Sequence, residues 1–202
     1  TTVTDAVWWF YLFWGAKFLG EQFGVDINNI GLPFLIIFLL ADVGSIGGGY
    51  TSGALIRKGW TVNRARKITM LVCAILILPV SFVPMLASKW LAVFLIGLAA
   101  AGHQSWSITG YTLVSDVFPR KAVASVTGIG KMVGVATSIV ADYALGTVLD
   151  SSGNLGYFWA FIIAGLSYLF ILIFVHLLMP KMTPLNDNLE YVKVEDINKI
   201  TT

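Results

Sequence analysis

The chain has 202 residues, 57% of them hydrophobic and 12% charged, with 13 Lys and Arg against 11 Asp and Glu and a formal net charge of +2. Its mean hydropathy is +0.81, and soluble domains carry about twice this share of charged side chains, so an aqueous surface could not be covered. The one cysteine, Cys73, excludes a disulfide framework or a cysteine metal site within the chain.

The first residues, Thr-Thr-Val-Thr, are polar and lack a basic n-region, so no secretory signal peptide is expected there. With no initiator methionine, a fragment or a processed product is expected. Six apolar segments follow in order: Val7–Leu19 (extending through Gly20 to Phe23), Gly31–Ile56, Ile68–Leu86, Trp90–Val114, Val123–Leu149 and Tyr157–Met179. Crossing a bilayer as helix takes about 20 residues. In hydrocarbon every backbone N–H and C=O must be satisfied within the segment, so runs this long read as helices. Barrel strands are excluded because the segments lack alternating patterning.

Basic residues are unevenly distributed. The second-to-third connection, IRKGWTVNRARK, holds Arg57, Lys58, Arg64, Arg66 and Lys67, and the fourth-to-fifth, DVFPRKA, holds Arg120 and Lys121. The tail adds Lys181, Lys193 and Lys199, whereas the opposite loops offer Lys89 with Glu21, Asp26 and Asp150. With six spans the basic set lies on one side, which the positive-inside rule makes cytoplasmic together with both termini. Residues 181–202 read as a polar, solvated cytoplasmic tail behind a bundle over 1–180.

An offset of 83 superposes Val43-Gly44-Ser45-Ile46-Gly47 on Val126-Thr127-Gly128-Ile129-Gly130, with three of five positions identical. Two copies of three spans, 5–88 and 89–180, must be inverted relative to one another, an arrangement used by secondary transporters. The expected fold is therefore an all-α membrane protein of six transmembrane helices in two inverted three-helix repeats. The G-x-x-x-G pairs Gly44–Gly48, Gly49–Gly53 and Gly130–Gly134 mark close helix–helix contacts or sliding surfaces.

VTGIGKMVG (Val126–Gly134) resembles a phosphate loop but is not one. Ser125 stands where a Walker loop needs its first glycine, and Met132 follows the lysine and cannot ligate magnesium. Ser45 in Val-Gly-Ser-Ile-Gly is no nucleophile elbow, and no spacing suggests a metal. Neither a cofactor nor a nucleic-acid partner is expected.

Polar groups inside spans are costly and by default face the bundle interior or a water-filled cavity. Here they are Lys17, Asp42, His103, Gln104, Lys131 and Asp142. Lys131 lies about 12 Å from the cytoplasmic edge and either pairs with an acid such as Asp42 or captures an anionic substrate. Lys17 and Asp142 lie near the outer ends of their spans, where snorkelling or pairing competes with function. Asp42 is deeper and is the candidate proton-coupling residue. His103, Trp106, Ser107, Gly110, Tyr111 and Val114 share one helical face. Hydroxyl and ring groups beside flat aromatics suit a polyol, although interhelical packing would use the same stripe.

The stretches DAVWWFYLFWGAKFL (Asp5–Leu19), ADVGSIGGG (Ala41–Gly49), LIRKGW (Leu55–Trp60), NRARK (Asn63–Lys67), AAGHQSW (Ala100–Trp106), TLVSDVFPRKAVASVTGIG (Thr112–Gly130) and HLLMPKM (His176–Met182) together carry a resemblance. The chain resembles the C-terminal half of a major facilitator transporter and, more narrowly, the hexuronate transporters of the anion:cation symporter family, from Asp5 to about Asn188. The resemblance implies proton-coupled symport of galacturonate or glucuronate by alternating access in the bacterial inner membrane, with a six-helix N-terminal half as partner. It places the stripe of the fourth span and the start of the fifth along the sugar cavity. The candidate substrate-binding set is Trp14, Lys17, His103, Gln104, Trp106, Ser107, Tyr111 and Lys131. Arg57-Lys58-Gly59 matches the cytoplasmic gate loop, with Ile56 where the superfamily often has an acid. The competing readings are a non-transporting, truncated membrane interaction protein and a carrier of a related anion such as galactonate.

Overall fold

A computed structural model describes residues 2–180 and 182–185. The described residues are mostly helical: α1 is Thr2–Phe23, α2 Gly31–Arg57, α3 Val62–Ile77 and α4 Lys89–Val117. A last helical run, Arg120–Leu178, breaks where Gly153 adopts φ 52°, a backbone region that side chains with a Cβ rarely enter. It divides into α5 (Arg120–Gly153) and α6 (Leu155–Leu178). The tail expected over 181–202 lies almost wholly outside the described residues, as do Lys181, Lys193 and Lys199.

Five helices, α2 to α6, are long and apolar enough to cross a membrane, α3 together with its extension to Met85. α1 is long enough but carries Trp8, Trp9, Tyr11 and Trp14 with Asp5, Lys17 and Glu21, which lower its hydropathy. Large apolar side chains point outward, among them Leu35, Val43 and Ile46 on α2 and Ile163, Phe170 and Phe174 on α6. Buried hydroxyls turn back on their own helices: Thr69 donates to the Ala65 carbonyl and Thr109 to that of Ser105, both at 2.9 Å. An oily exterior over an interior of small and self-satisfied polar residues suits a hydrocarbon solvent.

The ends have local causes. α2 stops in a Schellman motif: Gly59 (φ 86°) donates to the Ile56 carbonyl at 2.9 Å, and Trp60 donates to that of Leu55 at 3.2 Å. α3 was expected from Ile68 but starts at Val62, because the Thr61 hydroxyl caps it by accepting from the Arg64 N–H. Arg64, Arg66 and Lys67 thus belong to the first turns of a helix and not to a loop. Beyond Ile77 the helix tightens into a 3-10 segment, Leu78–Met85, where Pro79 and Pro84 lack N–H donors.

Helices α2 and α4 touch backbone to backbone. A Cβ on Gly44 would strike the Ala101 backbone, and one on Gly48 would strike Ser105. The Gly44–Gly48 pair is therefore a helix contact, as small-xxx-small predicts. The basic end is also tied together. Lys67 Nζ donates to the Met179 and Pro180 carbonyls at 2.7 and 2.9 Å, capping α6, and the Leu185 N–H donates to Val117 at the end of α4. At the opposite end Lys17 lies 3.8 Å from Glu21 and 3.6 Å from Asp150 of α5.

Gly44→Val is expected to cost about 1–3 kcal/mol or more through overpacking against a backbone that cannot retreat. Gly47→Ala, whose Cβ meets nothing within 4 Å, serves as control. Thermal unfolding in detergent should show a lowered midpoint for the first and an unchanged one for the second.

Candidate functional site

Between them, α1, α4 and α5 form a cavity of about 310 Å³ lined by Asp5, Trp8 and Trp9, by His103, Gln104, Ser107, Ile108 and Tyr111, and by Lys131 and Val135. Helical spacing explains the convergence. Asp5, Trp8 and Trp9 stand at i, i+3 and i+4; Gln104, Ser107, Ile108 and Tyr111 at i, i+3, i+4 and i+7; and Lys131 and Val135 at i and i+4. At 1.5 Å per residue, Lys131 is about 16 Å along α5 from Arg120, and His103 is about 21 Å along α4 from Val117. The size falls at the lower end of the usual range for small-molecule sites.

Lys131 dominates the electrostatics. Its Nζ donates to both Asp5 oxygens, at 2.9 and 3.0 Å, and lies 5.2 Å from the Tyr111 ring centroid. Asp5 is 9% exposed while Lys131 is 37% exposed, so the cation reaches the cavity and its partner sits behind it. The acid named from sequence as a possible partner was Asp42. It is exposed on α2 and makes no ion pair among the described residues, because α2 packs on α4 and α3 and not on α5.

His103 is buried and held on every side. Its Nδ1 meets the Tyr168 hydroxyl of α6, its Nε2 lies 3.3 Å from Ser107 Oγ, and Trp8 stacks over the ring at 5.0 Å. A neutral imidazole with one donor and one acceptor is fully satisfied in that setting. The ring forms a wall of the cavity and presents no free nitrogen to it.

Of the candidate substrate-binding residues, His103, Gln104, Ser107, Tyr111 and Lys131 converge on this cavity. Trp106 is turned into the core, 1% exposed, with its ring edge-on to Tyr168 at 5.2 Å. Trp14 lies against Gly146, and Lys17 sits 5.2 Å from the Trp14 ring centroid at the other end of the bundle. Sequence reasoning missed Asp5, Trp8 and Trp9 as cavity residues, although their spacing on one face of α1 was a usable signal. It also missed a buried cluster: Arg66 Nε donates to Asp116 Oδ2 at 2.9 Å and its Nη1 to Ser52 Oγ at 2.7 Å, tying α2, α3 and α4 together. In the gate stretch Arg57 lies 5.6 Å from the Tyr50 ring centroid, and Lys58 and Gly59 form the end of α2.

An amphiphilic cavity inside an oily helical bundle is a carrier's architecture, and residues 2–194 match the Major Facilitator Superfamily. The chain belongs to that superfamily. It is an integral membrane protein with relatives named as transporters, not enzymes. A probable galactarate/D-glucarate transporter of Escherichia coli (strain K12) is 27% identical over 146 residues, which cover 72% of this chain and 33% of the relative. The hexuronate transporter of the same strain is 26% identical over 153 residues, 75% of this chain and 35% of the relative. A D-galactonate transporter of Escherichia coli O6:H1 is 29% identical over 140 residues, 67% and 32% respectively. The chain spans about a third of the length of these curated relatives.

Tyr168→Phe is expected to leave His103 Nδ1 buried without a partner and to cost about 1–3 kcal/mol. Unfolding in detergent should register the loss, and Ser115→Ala, which removes an exposed hydroxyl bonded only to its own helix, should register none.

Proposed function

We propose that this chain forms the sugar-side half of a proton-coupled symporter for hexuronates such as galacturonate or glucuronate. It works by alternating access with a six-helix N-terminal half in the bacterial inner membrane. In this reading α1 also spans the bilayer. The repeats 5–88 and 89–180 are inverted copies, and the end bearing Arg57, Lys58, Arg64 and Lys67 faces the cytoplasm with both termini. The observation that carries the reading is a cation beside hydrogen-bonding and aromatic groups. Lys131 meets the cavity with Gln104, Ser107 and Tyr111 on one wall and Trp8 and Trp9 on another.

An ammonium is a compact point charge suited to a carboxylate. The amide and hydroxyls match sugar hydroxyls, and the indoles offer flat surfaces for the faces of a pyranose ring. Among the described residues lining the cavity, Lys131 is the one cation, which favours a monocarboxylate over the diacids galactarate and glucarate. The names of the relatives support the sugar-acid class.

Counterflow of labelled glucuronate into vesicles tests the reading with the protein co-expressed with, and without, an N-terminal half. Absence of uptake in both would defeat it. Lys131→Met is expected to weaken glucuronate binding at least about tenfold, the equivalent of about 1.4 kcal/mol. Lys17→Met, at the far end of the bundle, should leave affinity within about twofold. Equal affinities in all three proteins would assign Lys131 to structure alone.

A further inference from the structure

We infer that Asp5 is the proton-accepting partner of substrate binding: the incoming carboxylate displaces it from Lys131, and the freed side chain takes up one proton. The inference rests on the sugar-acid reading above and adds a coupling residue on α1 that the sequence did not suggest.

The argument is one of charge balance in a site that water reaches from one side. With the cavity empty, Lys131 and Asp5 neutralise each other through contacts of 2.9 and 3.0 Å. The two partners are unequal. The ammonium is 37% exposed and can turn to a ligand, whereas the carboxylate is 9% exposed and cannot follow it into solvent. A substrate carboxylate on Lys131 without any proton would leave two anions against one cation. It would also leave a buried carboxylate without its ion-pair partner, which is costly. One proton from the water in the cavity, bound to an Asp5 oxygen, restores neutrality and gives that oxygen a hydrogen to donate. When the substrate leaves, the ion pair re-forms and the proton returns to water.

Other groups facing Asp5 do not serve as well. From α4 come His103, with both nitrogens engaged, and the phenol Tyr111, whose ring faces Lys131. From α5 comes Lys131 itself, and from α6 the buried phenol Tyr168, which is bonded to His103. On α1 the nearby titratable group is Tyr11, also a buried phenol. Neutral phenols and a satisfied imidazole have no reason to gain a proton when a second anion arrives. A carboxylate that has lost its cation does.

The test is proton uptake on glucuronate binding, measured with a pH indicator in weakly buffered detergent solution, alongside affinity from pH 5.5 to 8. The wild type should take up about one proton per glucuronate, and its affinity should fall about tenfold per pH unit as pH rises, as linkage requires. Asp5→Asn should still bind glucuronate, with no uptake and a flat pH profile. A purely structural Asp5 would change affinity and leave the proton count intact. Infrared difference spectra supply a readout that does not depend on the Asn variant folding. Binding should raise a protonated-carboxyl band in the wild type, and Asp5→Glu should displace it. Binding without uptake by the wild type, uptake persisting in Asp5→Asn, or a band unmoved in Asp5→Glu would overturn the inference while leaving the sugar-acid reading standing. No glucuronate binding by the wild type would overturn both.

Discussion

A charge inside hydrocarbon needs a partner, and that requirement positions the helices of this protein. Lys131 brings α5 against α1 through Asp5, and Arg66 brings α3 against α4 through Asp116 and against α2 through Ser52. Removing one member of such a pair strands the other in a medium that cannot solvate it. The two pairs differ in what surrounds them. Arg66 is enclosed and its guanidinium is used on two sides, which makes a rigid joint. Lys131 is open to a cavity on one side and paired on the other.

Small residues supply the complementary constraint. Hydrophobicity cannot drive association between helices already dissolved in lipid, so close approach and dispersion must do it. At Gly44 and Gly48, α2 approaches α4 so closely that there is no room for a Cβ. That places α2 and α4 as one slab. A tryptophan of α1 holds it further from α4: Trp8 reaches His103 by stacking at 5.0 Å, ring against ring. Bulky contacts on one face of α4 and backbone contacts on the other account for a cavity between α1, α4 and α5.

The spans were legible because length and hydropathy alone dictate them in a bilayer. The stripe on α4 was legible from its period, and the packing role of Gly44–Gly48 from its spacing. What was not legible has a common cause, the placement and rotation of each helix within the bundle. From sequence, Asp42 looked a suitable partner for Lys131 because both lie within spans. The true partner is 126 positions away, at the start of α1. Trp106 shares the sequence stripe with His103, but a modest turn of α4 sends it into the core and brings Gln104 and Ile108 to the cavity. The start of α3 was obscured for a different reason. Arg64, Arg66 and Lys67 look like loop residues by hydropathy, yet the Thr61 cap carries the helix through them.

His103 shows how a polar ring can be fixed by its surroundings. Between Tyr168, Ser107 and the Trp8 ring it has an acceptor, a donor and a stacked face all provided for. The imidazole contributes shape and a positioned Ser107 hydroxyl. Lys131 and Asp5 neutralise each other beside it, so the cavity wall carries no bare cation.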